Sequence, residues 1–161
     1  MNLSVSVNTP LLAGNELKYI TECIETGWIS SEGPFITKFE EQFATYIGRN
    51  TGIAVSNGSA ALDIAIQALQ IGKGDEVIMP TFTIISPALS VVRAGGVPVL
   101  IDADPLTWNM NVAEIESKIT AKTKAIIVVH IYGLPVDMDP VMGIAKRYGL
   151  KVIEDAAEMH G

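Results

Sequence analysis

Cysteine is nearly absent: Cys23 is the single thiol in 161 residues. One thiol cannot cross-link a domain, so the fold has to rest on packing, and a reducing cytoplasm is the expected compartment. Cys23 lies in the helical pattern Tyr19-Ile20-Thr21-Glu22-Cys23-Ile24, where a core thiol is expected rather than a nucleophile. Basic residues are scarce as well. Eleven lysines and arginines stand against eighteen acids, a net charge of -7, and no basic run is present. That excludes a phosphate-tracking surface for nucleic acid, so an anionic ligand would need a local cradle. Long apolar runs are also missing. The most apolar window, Val77–Ile101, is broken by Pro80, Pro87, Arg93 and Gly95-Gly96, and reads as strand, loop, helix, strand rather than a membrane span. The start, Met1-Asn2-Leu3-Ser4-Val5, lacks the charged and apolar regions of a signal peptide, and none is expected. The two histidines, His130 and His160, form no familiar ligand spacing with the acids, so no metal site is expected.

What is present is a globular composition: 48% of the chain is hydrophobic and 18% charged. Two helical patterns, Gly14–Glu25 and Phe35–Ile47, fill an N-terminal segment over residues 1–50. The turn-rich stretch Thr26–Pro34 joins them. A regular alternation then runs over 51–161. Short apolar strands are expected at Gly52–Val55, Glu76–Met79, Pro98–Ile101, Ala125–Val129 and Lys151–Ile153. Helices are expected between them at Ser59–Gln70, Ile84–Ala94, Val112–Ile119 and Pro140–Tyr148. Strands that are apolar throughout, alternating with helices, imply an α/β fold with a parallel sheet covered on both faces. Ligands gather at the carboxyl ends of such strands.

Two such ends carry polar residues. In Ser56-Asn57-Gly58-Ser59-Ala60-Ala61-Leu62, Gly58 lets the backbone approach a ligand and Ser59 adds a hydroxyl at a helix start, where free N–H groups favour phosphate. The same residues also fit an ordinary helix cap. The segment matches neither the Walker nor the dinucleotide pattern, which turns the reading away from ATP and NAD. In Val152-Ile153-Glu154-Asp155-Ala156-Ala157-Glu158, the acids suit a metal ligand, a general base, a partner for a cationic ring nitrogen, or solvated strand-end groups. Asp155 is the better placed, because Ala156 and Ala157 leave room for a flat ligand. His130 reads as a hydrogen-bonded strand-end residue. Asp102 and Asp104, the latter before Pro105, read as turn formers.

These segments, together with Thr26–Pro34, Gly72-Lys73-Gly74-Asp75-Glu76-Val77 and Thr123–Gly133, resemble the sugar aminotransferases named for DegT and StrS. Within that family the likeness is to perosamine-synthase-like enzymes acting on nucleotide-linked 4-keto-6-deoxy sugars. The resemblance covers essentially the whole chain. It implies the three-layer αβα large domain of the aspartate-aminotransferase fold type, incomplete here and without the smaller C-terminal domain. It also implies pyridoxal 5'-phosphate (PLP) as cofactor. Partners would be a nucleotide-sugar substrate and an amino-acid donor, glutamate by expectation, in a homodimer that needs neither nucleic acid nor membrane.

By resemblance, Ser59 and Ala60 hold the cofactor phosphate, beside the Gly58 already singled out, Asp155 bonds the pyridine nitrogen, and Glu158 lies near the phenolic oxygen. Ile84 takes the position that is usually aromatic and stacks on the ring, with Phe82 reachable only by shifting the match. The family's Schiff-base lysine would lie beyond Gly161, so no catalytic residue is assigned and the 161 residues are expected to be inactive alone. A sugar dehydratase of the same family, with histidine in place of that lysine, is one alternative. A non-catalytic fragment or regulatory relative is another.

Overall fold

The computed structural model describes residues 5–6 and 9–160, which fall into two compact units, residues 1–54 and 55–161. The first unit is built on two helices, α1 (Glu16–Thr26) and α2 (Pro34–Tyr46). Helix α1 ends at Gly27, whose φ of 75° only glycine adopts without strain. Pro34 opens α2, where its missing N–H costs nothing. The Tyr19 and Phe35 rings, 5.1 Å apart, tie the helices together. Cys23 is half-buried rather than in a core, and no residue of α1 is fully buried.

The stretch 51–55 is extended but pairs with no strand among the described residues, so the strand expected at Gly52–Val55 does not form. It lies instead against α2, where the Glu40 carboxylate accepts the Ala54 N–H at 2.8 Å. A strand is defined by a hydrogen-bonded neighbour, and an apolar run cannot say whether it has one.

The second unit is an α/β layer structure. Four parallel strands, β1 (Glu76–Pro80), β2 (Val97–Ile101), β3 (Thr123–Val129) and β4 (Lys151–Asp155), lie in the order β2-β1-β3-β4. Helices α3 (Gly58–Ala68), α4 (Ser86–Arg93) and α5 (Met138–Tyr148) complete it. Side-chain alternation splits the core by face. Val77, Met79, Ile127 and Val129 pack with Ile66 of α3 and Val91 of α4. Ile78, Ile126 and Val128 pack on the other face with Val141 and Ile144 of α5. Both faces are covered, which is why the strands read as unbroken apolar runs.

The helix expected at Val112–Ile119 is two short 3₁₀ turns, Val112–Glu114 and Glu116–Lys118. Their backbone bonds run to the third residue back, Ile115 N–H to Val112 and Lys118 N–H to Ile115, and the Ser117 hydroxyl donates to the Glu114 carbonyl at 2.7 Å. Ile115 still reaches the core. No described helix is long and apolar enough to cross a membrane.

The strand order places a reversal of winding between β1 and β3. In open parallel sheets the crevice outside the carboxyl ends at such a point is where ligands bind.

Candidate functional site

Helix α3 begins at that end of the sheet. Asn57 is its N-cap: the side-chain oxygen accepts the Ala60 N–H at 2.9 Å, and the Asn57 carbonyl accepts the Ala61 N–H at 3.1 Å. The N–H groups of Gly58 and Ser59 precede any intrahelical acceptor and remain as donors. A Cβ built on Gly58 would meet nothing within 4 Å, so open space lies over this first turn. Cap and cradle therefore coexist. Asn57 takes the N–H of Ala60 and leaves those of Gly58 and Ser59.

The Ser59 hydroxyl lies 2.9 Å from that of Ser86, the first residue of α4. Two helix N-termini thus meet through a pair of hydroxyls, each carrying the positive end of a helix dipole. Three residues before Ser86, the Thr83 hydroxyl is buried and has no hydrogen-bond partner among the described residues. Unspent donors, open space and positive dipole ends suit an anion. Ser86 escaped the sequence reading, although a serine before Pro87 at a helix start was a usable signal.

Asp155 closes β4. By alternation from Ile153, which packs with the α3–α4 core, Asp155 falls on the face that carries Ser59 and Ser86. Its backbone carbonyl accepts the His130 N–H at 3.2 Å, and its Oδ1 accepts the Ala157 N–H at 3.2 Å. Its neighbour Glu154 points to the opposite face, where Oε1 lies 2.9 Å from Nε2 of the buried His130. Glu158 is exposed, and its Oε2 accepts the Tyr132 N–H at 2.7 Å.

The segments that follow β1, β2 and β3 also bring a set of rings together. Phe82, just past β1, has Trp108 at 5.4 Å and Tyr132 at 6.4 Å between centroids. Ile84, two residues after Phe82, is 66% exposed. Glu158 bonds the Tyr132 backbone and the Tyr132 ring neighbours Phe82, so Phe82 joins this ring set. Asn109, buried at the centre, donates to the Leu134 carbonyl at 2.9 Å and accepts the Ile131 N–H at 3.4 Å. Nothing in the local sequence marks Asn109 or Tyr132. Asp104 forms the turn expected of it, accepting the N–H groups of Leu106 and Thr107, whereas Asp102 lies outside a turn and accepts the Ala103 N–H. No group of three potential ligands that could hold a metal ion occurs among the described residues.

A parallel sheet with a switch point, two helix N-termini meeting beside it and a carboxylate closing a neighbouring strand is the arrangement of ligand-binding α/β domains. Residues 10–161 match the profile of the DegT/DnrJ/EryC1/StrS aminotransferase family. The chain belongs to that family, with the fold of its PLP-dependent members. GDP-perosamine synthase of Caulobacter vibrioides is 52% identical over 157 residues, 98% of this chain and 42% of that protein. The enzyme of the same name from Escherichia coli O157:H7 is 46% identical, over 98% of this chain and 43% of that protein. Among solved structures, ntda from Bacillus subtilis with bound cofactor PMP superposes with a TM-score of 0.84 at 41% identity, covering 90% of this chain and 33% of that one. The chain thus spans about two fifths of the length of the relatives named here.

Proposed function

We propose that this chain supplies the cofactor-binding part of a PLP-dependent aminotransferase acting on a nucleotide-linked 4-keto-6-deoxy sugar, with glutamate as donor. The names of the perosamine-synthase relatives support the substrate class. The observation that carries the reading is the placement of Ser59, Ser86 and Asp155 on one face at the carboxyl end of the sheet. A homodimer in the cytoplasm is the assembly and compartment that go with it.

The residues fit the cofactor on their own chemistry. Open space over Gly58, the spare N–H groups of Gly58 and Ser59, and the hydroxyls of Ser59 and Ser86 match a phosphate. Ala60 spends its N–H on Asn57 and contributes by being small. When bound, PLP supplies an electron sink for proton removal at the amino-bearing carbon. The part of Asp155 is to keep the ring nitrogen protonated, because a carboxylate beside it favours the charged form. The Ala157 N–H bonds Oδ1 at 3.2 Å and leaves Oδ2 for a ligand. Phe82 is the better placed ring-facing side chain, and Ile84 borders the same loop.

Equilibrium dialysis with PLP tests the reading. We expect measurable binding that excess inorganic phosphate displaces. The Ser59→Ala and Asp155→Ala variants should each weaken it by about tenfold, the loss of one or two charge-assisted hydrogen bonds. Unchanged affinity in both variants would sink the proposal.

A further inference from the structure

Glu158 makes a contact that its place in the sequence does not reveal. Tyr132 sits just past the end of β3 with a φ of 50°, a left-handed conformation that bulky residues rarely adopt. It is 73% exposed, so burial of its ring does not offset that cost. What faces its backbone is the Glu158 carboxylate, which accepts the Tyr132 N–H at 2.7 Å from twenty-six residues further along the chain. The turn is closed on its other side by the Leu134 N–H on the Ile131 carbonyl, and by Asn109, which bonds both Ile131 and Leu134. Trp108, the other ring beside Phe82, also has a left-handed backbone, with φ of 62°, and its N–H is held by the Asp104 carbonyl. Both rings that flank Phe82 therefore stand on strained backbone held by polar contacts.

We propose that Glu158 is a positioning residue. Its Oε2 is committed to the Tyr132 amide, which fixes the Tyr132 turn and through it the Tyr132 ring against Phe82. This rests on the proposed cofactor reading only for its consequence, the placing of a ring-facing wall beside Asp155. The clamp itself stands on the geometry. A neutral amide at position 158 also offers an oxygen acceptor, so the role needs an acceptor and not a charge.

The test is amide hydrogen exchange at Tyr132, with PLP affinity measured in parallel on the same 161-residue chain. In Glu158→Ala the Tyr132 amide should exchange about tenfold faster or more, as expected when a hydrogen bond that closes a turn is removed. PLP affinity should fall with it. Glu158→Gln should restore both. Unchanged exchange in Glu158→Ala overturns the proposal, and so does a Gln variant that behaves like Ala. Loss of protection spread over the whole of β4 in Glu158→Ala would show a merely structural role and would also overturn it. If the native chain binds no PLP while the exchange pattern holds, the cofactor reading fails and the clamp survives.

Discussion

His130 shows how a single side chain can be read to the level of its tautomer. Its Nδ1 accepts the Val136 N–H at 3.1 Å, so the proton must be on Nε2, which donates to Glu154. The backbone N–H of the same residue holds the Asp155 carbonyl, so one residue braces both acids at the end of β4. Replacing the ring by an apolar one of similar size, His130→Phe, leaves the Val136 N–H buried and unpaired. That should cost about 1–3 kcal/mol of stability, read from the midpoint of urea denaturation. An unchanged midpoint would mean that water replaces the ring nitrogen. The sequence supported a hydrogen-bonded histidine here but could not name its partners, because Val136 and Glu154 reach it only through the loop and the neighbouring strand. Asp104 gives a second residue-scale prediction. Backbone N–H groups, Thr107 first and then Leu106, hold its carboxyl below the ordinary aspartate range. A depressed folded value means that the stabilisation is present above the unfolded value and lost as pH falls through the folded one. The turn that carries Trp108 should therefore loosen only in strong acid. Trp108 emission should shift there before the far-ultraviolet helix signal does; Asp104→Asn should flatten that early shift.

At the scale of elements, the four strands of the sheet and helices α3, α4 and α5 were legible, because each is an apolar run or an amphipathic pattern bounded by turn residues. Both failures concern backbone hydrogen bonds that an apolar pattern does not specify. The Gly52–Val55 run is apolar enough for a strand, but pairing depends on a neighbour that the run does not encode. The Val112–Ile119 segment has helical spacing, but its backbone N–H groups bond to the third residue back rather than the fourth. What 51–55 does instead is specific. A Cβ on Gly52 would come within 2.6 Å of the Glu40 carbonyl oxygen, a backbone atom that cannot swing aside. Gly52→Ala should therefore destabilise the first unit by about 1–3 kcal/mol, the range for overpacking, measured by exchange at the Ala54 amide. The α3 cap is simpler. Asn57→Ala removes the acceptor for the Ala60 N–H and should cost about 1 kcal/mol. It should leave phosphate binding largely intact, since the donors assigned to the anion are on Gly58 and Ser59.

For the molecule as a whole, the candidate site divides by how its parts are encoded. Ser59 and Asp155 stand next to strand and helix ends and could be picked out in one dimension. Ser86, Phe82, Tyr132 and Asn109 join them only because the order β2-β1-β3-β4 brings four loops to one edge. The same topology decides what the lysines of the second unit can do. Lys73 precedes β1, Lys118, Lys122 and Lys124 surround the start of β3, Lys151 opens β4, and Lys146 lies in the last turn of α5. All six belong to the amino end of the sheet, and a five-residue strand separates them from Asp155 by roughly 17 Å. A lysine side chain does not span that distance, so none of these six can bond to a ligand held at Ser59 and Asp155. Borohydride treatment after PLP addition, followed by peptide mass spectrometry, should therefore find low and scattered labelling over these lysines, insensitive to Ser59→Ala. Assays for consumption of the amino donor by the 161 residues alone should show no turnover. Stoichiometric labelling of one of the six, lost in Ser59→Ala, would instead require the strand ends to be arranged differently from the parallel register seen here.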